Sequence, residues 1–556
     1  MDRKRFSFVL LCAALCALMC LPCLCPAFAA AADAPEFEAL SYPDEALTDF
    51  REEMTDRVSS DADYFANRGF PEETGLYRSP YWRCAAADRT VPVYAAMSYD
   101  YVLDKGVLQS FAYLFVKRFG AGLPLTLTFS APVKDAVVLP RSLGTDCAVN
   151  GDTVSLTVAA CGCYTVLVNG DSQQTAFTLF VREWEDEDAA VAAYFAEYGE
   201  ENVVVCPKGV YELETVDTSA SVYYCCRGSY IAARHVYDLR SDEERDAMPP
   251  RSSFLGFYNR DNIIMDGFGT FDFTKTDRME NRPFEMSGCR DCSVSGMLFL
   301  DPGTWTVTLH NCKNVELGDI AVIGYRTNSD AINVCCSEDV TVRDCFARNG
   351  DDCYSVKTTV AGLPAARIRF ENCVAWSNKA RCFGITGEAE APISDVTFAD
   401  SAVICRNATW DNDRVSSLAV AVETGGAAID SVTFENIEIR EDAGRPVNVL
   451  VYDNGLKNCS VKGVVFRNID CARGGEPSRI AAKRTLSFVE KLRCFFYRFF
   501  SMILGGKAGE RYAKLVPNGN KIEATFENVT VNGEKLTRAN AGKYVKTSGC
   551  ERVSYR

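Results

Sequence analysis

Residues 328–358 read NSDAINVCCSEDVTVRDCFARNGDDCYSVKT, a run of short valine-rich segments separated by polar turns. β-Branched residues favour strands, whereas Asn, Asp and Gly favour the turns between them. The stretch contains a single acid, Asp330, followed 21 and 22 residues later by the pair Asp351 and Asp352. It therefore predicts short strands with three carboxylates at their turns.

The same pattern recurs along the second half of the chain. Residues 314–323 read NVELGDIAVI and residues 395–404 read DVTFADSAVI, and further copies begin at Cys292, Asp339, Ala366, Ser431, Gly463 and Glu523. Successive copies start roughly 20 to 35 residues apart with no helical spacing between them, which is typical of a parallel β-helix. Equivalent positions in four copies predict an internal asparagine ladder of Asn372, Asn436, Asn468 and Asn528.

The predicted fold class is all-β, with two domains. Residues 73–185 contain short alternating strands with turns about every eight to twelve positions, which indicates an antiparallel β-sandwich with an accessory role. A polar linker, residues 32–72, precedes it, and residues 186–556 form the β-helix domain. Because Asp330, Asp351 and Asp352 lie in the β-helix, we expect the chemistry there.

One segment, residues 478–515, interrupts the β-helix repeat and predicts an amphipathic helical insertion. Its apolar residues recur at helical spacing: Phe488, Leu492, Phe495, Phe496, Phe499 and Ile503. The favoured interpretation packs this aromatic face on the β-helix. The alternative is weak contact of residues 484–504 with a membrane surface, because basic amphipathic helices bind anionic lipid.

Residues 1–31 predict a cleaved signal peptide, and hence a secreted or cell-surface protein. Three basic residues precede an apolar run from Phe6 to Cys25, and small residues follow at 27–31. An uncleaved membrane anchor is the alternative, because the run approaches the roughly 20 residues of a spanning helix. The net charge of -16 argues against nucleic acid as a partner, and a monomer is expected.

The cysteines and histidines give no reason to expect a metal or cofactor. Removal of the signal leaves 21 cysteines, an odd number that excludes a complete intrachain disulfide set. The pairs Cys161 with Cys163 and Cys289 with Cys292 lack a second pair to complete a metal site, and the chain has only two histidines. Most cysteines are therefore expected to be small buried apolar residues.

Adjacent coils of a β-helix lie about 4.8 Å apart, so residues one coil apart in sequence become neighbours. If the interval from Asp330 to Asp351 is one coil, the three acids form one patch, where repulsion raises at least one pKa. A protonated acid beside ionised carboxylates suits hydrolysis of glycosidic bonds. Asp351 and Asp352 serve together only if Gly350 places them at a turn. Polar turn residues without chemistry are the alternative.

The block from residue 260 through NSDAINV and GDDCYSVK resembles the polygalacturonases, glycoside hydrolase family 28. The family has Asn-Thr-Asp followed one coil later by Gly-Asp-Asp, and here Ser329 replaces the Thr. The resemblance implies that Asp351 is the general acid, that Asp330 and Asp352 hold the attacking water, and that the anomeric carbon inverts. It also implies that Asn328 contacts the sugar.

Two family motifs are missing. Residues 379–385 read KARCFGI where the family has Gly-His-Gly, and its Arg-Ile-Lys, which holds a galacturonate carboxylate, aligns near Leu418-Ala419-Val420. A buried carboxylate without a cation is costly, so the loss favours a neutral sugar unless Lys357, Arg381 or Arg414 substitutes. Lys357 and Arg381 are predicted to contact the substrate. Of several aromatic residues that could stack on sugars, Tyr325 is the predicted contact.

The sandwich followed by a right-handed β-helix is similar to the dextranases and isopullulanases, glycoside hydrolase family 49. The resemblance implies a secreted inverting glycoside hydrolase acting on a polysaccharide or oligosaccharide, by preference a neutral, dextranase-like substrate. A polygalacturonase-like pectin hydrolase is the first alternative. A calcium-dependent lyase, a non-catalytic glycan-binding or adhesin-type β-helix, and an inactive homologue also remain open.

Overall fold

The computed structural model describes residues 34–56, 75–100, 103, 105–170, 173–234, 252–276, 281–407, 414–452, 459–482, 488–513, 521–549 and 552–556. The predicted signal peptide, His235 and Trp410 lie outside these residues. Helices occupy a small part of the described chain: α1 (Glu53–Asp56), α2 (Glu187–Tyr198), α3 (Phe488–Leu504), α4 (Gly506–Ala513) and α5 (Ala541–Tyr544), with 3-10 turns at Asp44–Ala46, Arg141–Leu143 and Glu200–Asn202.

The N-terminal domain is a sandwich of two sheets. The larger sheet contains β1 (Glu36–Ala39), β2 (Leu47–Thr48), β3 (Leu76–Arg78), β6 (Tyr94–Asp100), β7 (Lys105–Arg118), β9 (Ala136–Leu139), β12 (Gly162–Val168) and β13 (Phe177–Glu183). The smaller sheet contains β4 (Trp82–Ala86), β5 (Arg89–Val91), β8 (Leu123–Phe129), β10 (Cys147–Asn150) and β11 (Thr153–Val158).

Two details of the sandwich differ from the prediction. β1 pairs with β7 and β2 pairs with β3, so the sheet begins inside the segment predicted as a linker, residues 32–72. The apolar Phe37 of β1 is buried, and this burial stabilises the added strand. The larger sheet is also mixed, because β7 and β13 run parallel.

The second domain is a parallel β-helix built from two long sheets. One contains β14 (Val203–Cys206), β15 (Gly209–Leu213), β16 (Val222–Ala233), β18 (Ile264–Asp272), β20 (Arg290–Ser295), β21 (Met297–Leu300), β23 (Lys313–Gly318), β24 (Ala321–Ile323), β26 (Glu338–Arg343), β27 (Phe346–Asn349), β29 (Ala365–Glu371), β30 (Val374–Ser377), β32 (Ile393–Ala399), β33 (Ala402–Arg406), β35 (Ile429–Ile439), β37 (Ser460–Cys471), β39 (Lys521–Val531), β40 (Glu534–Lys535) and β42 (Arg552–Tyr555).

The other sheet carries the site described below, and it contains β17 (Ser252–Tyr258), β19 (Asn281–Ser287), β22 (Val307–His310), β25 (Ile332–Cys335), β28 (Tyr354–Thr358), β31 (Phe383–Ala389), β34 (Ser416–Thr424), β36 (Arg445–Val451), β38 (Ser478–Ala482) and β41 (Val545–Ser548). All of its strand pairs are parallel, which is the arrangement that the sequence repeat predicts. The predicted fold class is confirmed.

Identical residues stack inside the β-helix because neighbouring coils pair in register. Phe370, Phe398, Phe434, Phe466 and Phe526 form a column with ring centroids 4.9 to 5.1 Å apart. Every ring in the column is at most 2% exposed. Each phenylalanine therefore contributes both apolar burial and contact with the rings above and below it.

Three of the four predicted asparagines form a ladder, but it lies on the outside of the β-helix and not inside. Asn372 donates to Asp344 instead, at 2.6 Å. The Asn528 amide donates to Asn468, and the Asn468 amide donates to Asn436, at 2.8 and 2.9 Å. These three residues are exposed and have φ of 52 to 55°, the left-handed region that Asn tolerates at turns. The 19 cysteines whose side chains the structure describes are free thiols.

The helical insertion begins later than predicted, because residues 478–482 form the β-helix strand β38. The apolar face of α3 does not pack on the β-helix. Phe495 is 64% exposed, Met502 is 77% exposed and Ile503 is 59% exposed. The favoured interpretation of this segment was therefore wrong. None of the helices among the described residues has the length and apolar character needed to cross a bilayer.

We expect Phe398→Ala to destabilise the protein by about 3–5 kcal/mol, because it opens a cavity in the middle of a stacked column. Thermal or denaturant unfolding measures the loss. Val360→Ala is the matched control, because Val360 is 42% exposed and its truncation should cost less than about 0.5 kcal/mol. Equal losses from the two substitutions would contradict the stacked core.

Candidate active site

Three consecutive coils bring Asp330, Asp352 and Arg381 to the same position along the β-helix. The Ala331 N–H donates to the Asp352 carbonyl at 2.9 Å, and the Cys353 N–H donates to the Arg381 carbonyl at 2.8 Å. The coil repeat therefore aligns Asp330 with Asp352, and not with Asp351 as predicted. Asp351 occupies the turn just before this aligned position.

The turn at Gly350 presents Asp351 and Asp352 together, as the sequence requires. Residues 350–353 lie between β27 and β28. A Cβ at Gly350 would stand 2.2 Å from the Tyr325 carbonyl oxygen and 2.3 Å from that of Arg326, so only glycine fits. The buried Asn349 amide donates to the carbonyls of Ser329 and Asp352 at 2.7 and 3.0 Å, which ties this turn to the preceding one.

The three carboxylates form one compact cluster of unequal exposure. One oxygen from each of Asp330, Asp351 and Asp352 lies within 4.8 Å of the other two. The Asp330 and Asp352 side chains are 3% and 4% exposed, whereas Asp351 is half-buried. Asp351 accepts hydrogen bonds from the N–H groups of Asn328 and Asp352 at 3.1 and 2.9 Å. Asp351 is therefore the carboxyl that a substrate can reach.

Lys357 lies beneath this cluster and balances part of its charge. Its Nζ is 3.0 Å from Asp330 Oδ2, 4.0 Å from Asp352 Oδ2 and 3.9 Å from Glu388 Oε2. It also lies 4.1 Å from the centroid of the Trp305 ring. Lys357 was predicted as a sugar contact. The structure gives it carboxylate partners instead, because a buried ammonium is stable only beside negative charge.

Arg381, the second predicted cation, is also engaged by carboxylates. Its guanidinium lies 3.5 Å from Asp352 Oδ2 and forms an ion pair with Glu423, and its backbone N–H donates to Asp352 Oδ1 at 3.1 Å. The side chain is 8% exposed. Arg381 therefore orients Asp352, and its predicted role as a sugar contact is replaced by a positioning role.

Burial dominates the titration of Asp330 and Asp351. It raises the pKa of Asp330 well above the usual range, and Lys357 opposes the shift while Asp351 and Asp352 add to it. Burial and the neighbouring Asp352 also raise the pKa of Asp351, against Lys357 and two backbone N–H donors. A cluster of this kind holds a proton to higher pH than an isolated aspartate does.

The cluster has the oxygen ligands and spacing that a hard cation prefers. Lys357 already places an ammonium 3.0 Å from Asp330. That ammonium supplies the positive charge that a metal ion would bring, so the residues present do not require one.

The other predicted contacts are Asn328 and Tyr325, and Arg414 is the third cation considered for a uronate. Asn328 lies at the cluster, with φ of 64°, and its N–H donates to Asp351. Tyr325 is only 6% exposed, and its ring stacks on Tyr99 of the sandwich with centroids 6.5 Å apart. It contributes to the contact between the domains and not to a sugar platform, contrary to the prediction. Arg414 lies over the Tyr452 ring, with 5.0 Å between its guanidinium carbon and the centroid.

Three residues near the cluster were not singled out as site residues. Trp305 is half-buried and contacts Lys357, which places an aromatic ring beside the lysine of the cluster. Lys379 Nζ donates to the Thr327 hydroxyl at 2.9 Å. Glu423 pairs with Arg381. Coil-to-coil spacing could have found Trp305, because residue 306 pairs with Asp330 through a backbone hydrogen bond of 2.8 Å.

The sandwich supports the site from the side. Arg348, which precedes the Gly350 turn, is fully buried and donates to Gln109 of β7 at 2.7 Å. On the next coil, the Asn378 amide donates to the hydroxyl of Ser98 in β6 at 3.0 Å. With the Tyr325 contact, three successive coils are fixed by the sandwich shortly before they reach Asn328, Asp351 and Arg381.

Comparison with known proteins agrees with this geometry. Residues 265–476 match the model of glycosyl hydrolases family 28. An exopolygalacturonase of Zea mays is 25% identical over 188 residues, which are 32% of this chain and 43% of that protein. The probable rhamnogalacturonase B of Aspergillus fumigatus is 24% identical over 220 residues, 39% of each protein. The chain therefore matches less than half the length of these relatives.

The match to a solved structure is more extensive. Dex49A from Penicillium minioluteum aligns with 93% of this chain and 99% of its own, with a TM-score of 0.57 and 11% identity. At this identity the match establishes the fold, and its coverage includes both the sandwich and the β-helix. The resemblance inferred from the sequence is confirmed.

We expect Lys357→Met to move the pH profile of catalysis to higher pH. The ammonium lowers the pKa of both Asp330 and Asp351, so its removal raises both. A base then ionises at higher pH and an acid keeps its proton to higher pH, which shifts both limbs of kcat/KM in the same direction. Lys357→Arg, which keeps the charge, is the control. If the maximal kcat/KM falls but the pH profile does not move, Lys357 contributes only to packing.

Proposed function

We propose that this protein is an exported glycoside hydrolase that cleaves a polysaccharide or oligosaccharide by general acid and base catalysis. The observation that carries the proposal is the cluster of one accessible and two buried aspartates within 4.8 Å. The signal-like residues 1–31 support export. The family 28 match supports the reaction class, since it includes the segment that holds all three aspartates.

Asp351 is the general acid in this proposal. It is the accessible member of the cluster, and its raised pKa favours the protonated form that a leaving oxygen needs. Asp330 and Asp352, which are aligned on adjacent coils, hold the attacking water. Lys357 and Arg381 keep these two carboxylates in place, because each lies within 3.5 Å of one of them.

The carboxylate spacing alone does not favour inversion. Oxygens within 4.8 Å are closer than the roughly 6.5–9.5 Å of most inverting enzymes and nearer to the roughly 5–5.5 Å of retaining ones. Exposure separates the two mechanisms. Asp330 and Asp352 are 3% and 4% exposed, which suits contact with water better than attack on a sugar carbon. We therefore propose inversion, with retention as the alternative.

A neutral glycan is the proposed substrate class. Around the cluster, Asp330, Asp351, Asp352, Glu388 and Glu423 outnumber the cations, and both Lys357 and Arg381 pair with these carboxylates. A uronate would meet more carboxylates than cations among the described residues, and like charges at close range repel. The apolar Leu418-Ala419-Val420 pairs directly with β31 where the family carries its basic motif.

A pectin hydrolase is the second candidate, and two observations favour it. The relatives that match in sequence are named exopolygalacturonase and rhamnogalacturonase. Lys379 is a further cation near the cluster, since Thr327, which accepts its hydrogen bond, directly precedes Asn328. Its ammonium could meet a uronate carboxylate.

We expect Asp351→Asn to lower kcat by roughly 10²–10⁴-fold, because it removes the transferable proton. Binding of substrate and the melting temperature should change little, because Asn keeps the shape of the side chain. Asp400→Asn, on an exposed carboxylate, is the control. Full activity of Asp351→Asn would exclude the proposed acid and favour a binding protein.

Reducing-end assays of the wild type on dextran, pullulan and polygalacturonate identify the substrate, and NMR of the first anomer decides between inversion and retention. An unsaturated product that absorbs in the ultraviolet would indicate a lyase. Activity on polygalacturonate alone would contradict the neutral-glycan proposal.

Lys379→Met separates the two substrate classes. We expect it to leave hydrolysis of a neutral glycan within about threefold of wild type, because hydroxyl groups do not require an ammonium. Thr327→Val removes the same hydrogen bond but keeps the charge, and it is the matched control. A selective loss of polygalacturonate hydrolysis in Lys379→Met, absent from Thr327→Val, would support the second candidate.

A further inference from the structure

Helix α3 carries an unusually exposed apolar surface. Leu492, Phe495, Phe496, Phe499 and Ile503 recur at helical spacing and are 43 to 64% exposed. Neighbouring Val489, Met502 and Leu504 are 50 to 77% exposed and widen this surface. Soluble proteins rarely leave so many large apolar side chains together in water, so such a patch marks an interaction surface.

One flank of the apolar surface of α3 contacts α4. The Tyr497 and Phe500 rings contact Tyr512 of α4, with centroids 6.2 and 5.5 Å apart. The chain reverses between the helices at Gly505 and Gly506, whose φ of 53 and 51° is left-handed. Helices α3 and α4 therefore form a hairpin that presents the apolar stripe outward, and the Phe495 and Phe499 rings stack along it.

The charge of the insertion is opposite to that of the whole protein. Residues 483–514 contain eight Lys and Arg and two Glu, whereas the complete chain has a net charge of -16. A basic segment with an apolar stripe is complementary to an anionic lipid surface, which offers negative headgroups above a hydrocarbon layer.

Helix length decides between lying on a bilayer and crossing it. The 17 residues of α3 extend about 25 Å, less than the roughly 30 Å of a hydrocarbon core. Arg493 is also exposed within the helix. Such a helix lies in the plane of the interface, with its apolar side among the acyl chains and its basic residues among the headgroups.

We propose that residues 488–504 attach the protein to an anionic lipid bilayer by lying in its surface. The insertion joins β38 to β39, whereas the aspartate cluster lies at β25 and β28, so attachment uses a part of the chain distinct from the catalytic cluster. This inference does not depend on the proposed hydrolase activity, because it concerns binding without substrate.

Co-sedimentation with vesicles tests the attachment, using the exported protein with its N-terminus verified by mass spectrometry. We expect binding to phosphatidylcholine vesicles that contain about 30% phosphatidylglycerol, and binding roughly tenfold weaker to phosphatidylcholine alone. The double variant Phe495→Ser with Phe499→Ser should bind the anionic vesicles at least about tenfold more weakly. Arg493→Glu should weaken binding and reduce its dependence on salt.

The control is Val204→Ser with Val360→Ser, which removes two exposed apolar residues elsewhere and should leave vesicle binding unchanged. Hydrolysis of a soluble substrate should be the same in all of these variants, so failure of attachment and failure of the hydrolase proposal are distinguishable. Absence of binding to anionic vesicles would overturn the attachment. So would equal binding by the phenylalanine variant, or a wild-type dimer that the same variant dissociates.

Discussion

The in-register pairing of successive coils is the constraint on which the rest of the β-helix depends. A residue that recurs at one position of the repeat must contact its own copies, since parallel strands lie about 4.8 Å apart. For phenylalanine this is favourable, as the column through Phe398 shows. For Asp330 and Asp352 it brings two like charges together in a buried position. The same geometry that builds the core therefore creates an electrostatic cost at the site.

That cost explains the cations around the cluster. Lys357 lies 3.0 Å from Asp330, and Arg381 holds Asp352 through its guanidinium and its backbone N–H. Buried charges are tolerated when they are paired and hydrogen-bonded. Because Lys357 and Arg381 are already paired with carboxylates of the protein, they are poorly suited to bind a substrate carboxylate. Stability of the aspartate cluster and the proposed preference for an uncharged sugar thus have one physical origin.

The sequence predicted the features that depend on the repeat period and on local backbone conformation. It gave the parallel strands, the three clustered aspartates and the need for a turn at Gly350, because each follows from repeat spacing or from a residue's backbone preferences. It did not predict that Asp330 aligns with Asp352, because the length of each turn sets that register. The carboxylate partners of Lys357 and the Tyr99 partner of Tyr325 depend on which residues lie one coil or one domain away. The exposure of α3 was missed for the same reason, because periodicity identifies an apolar face but not what covers it.

The sandwich contacts three successive coils of the β-helix shortly before they reach the site, and these contacts fix the position of the chain there. Arg348 is buried against Gln109 only three residues before Asp351, and Asn378 contacts Ser98 three residues before Arg381. Turns are the most mobile parts of a coil, yet the positions of these turns set distances between carboxylates that matter to within an ångström. A sheet that is hydrogen-bonded to the residues before these turns restricts their movement. The accessory domain and the candidate active site therefore form one structural unit.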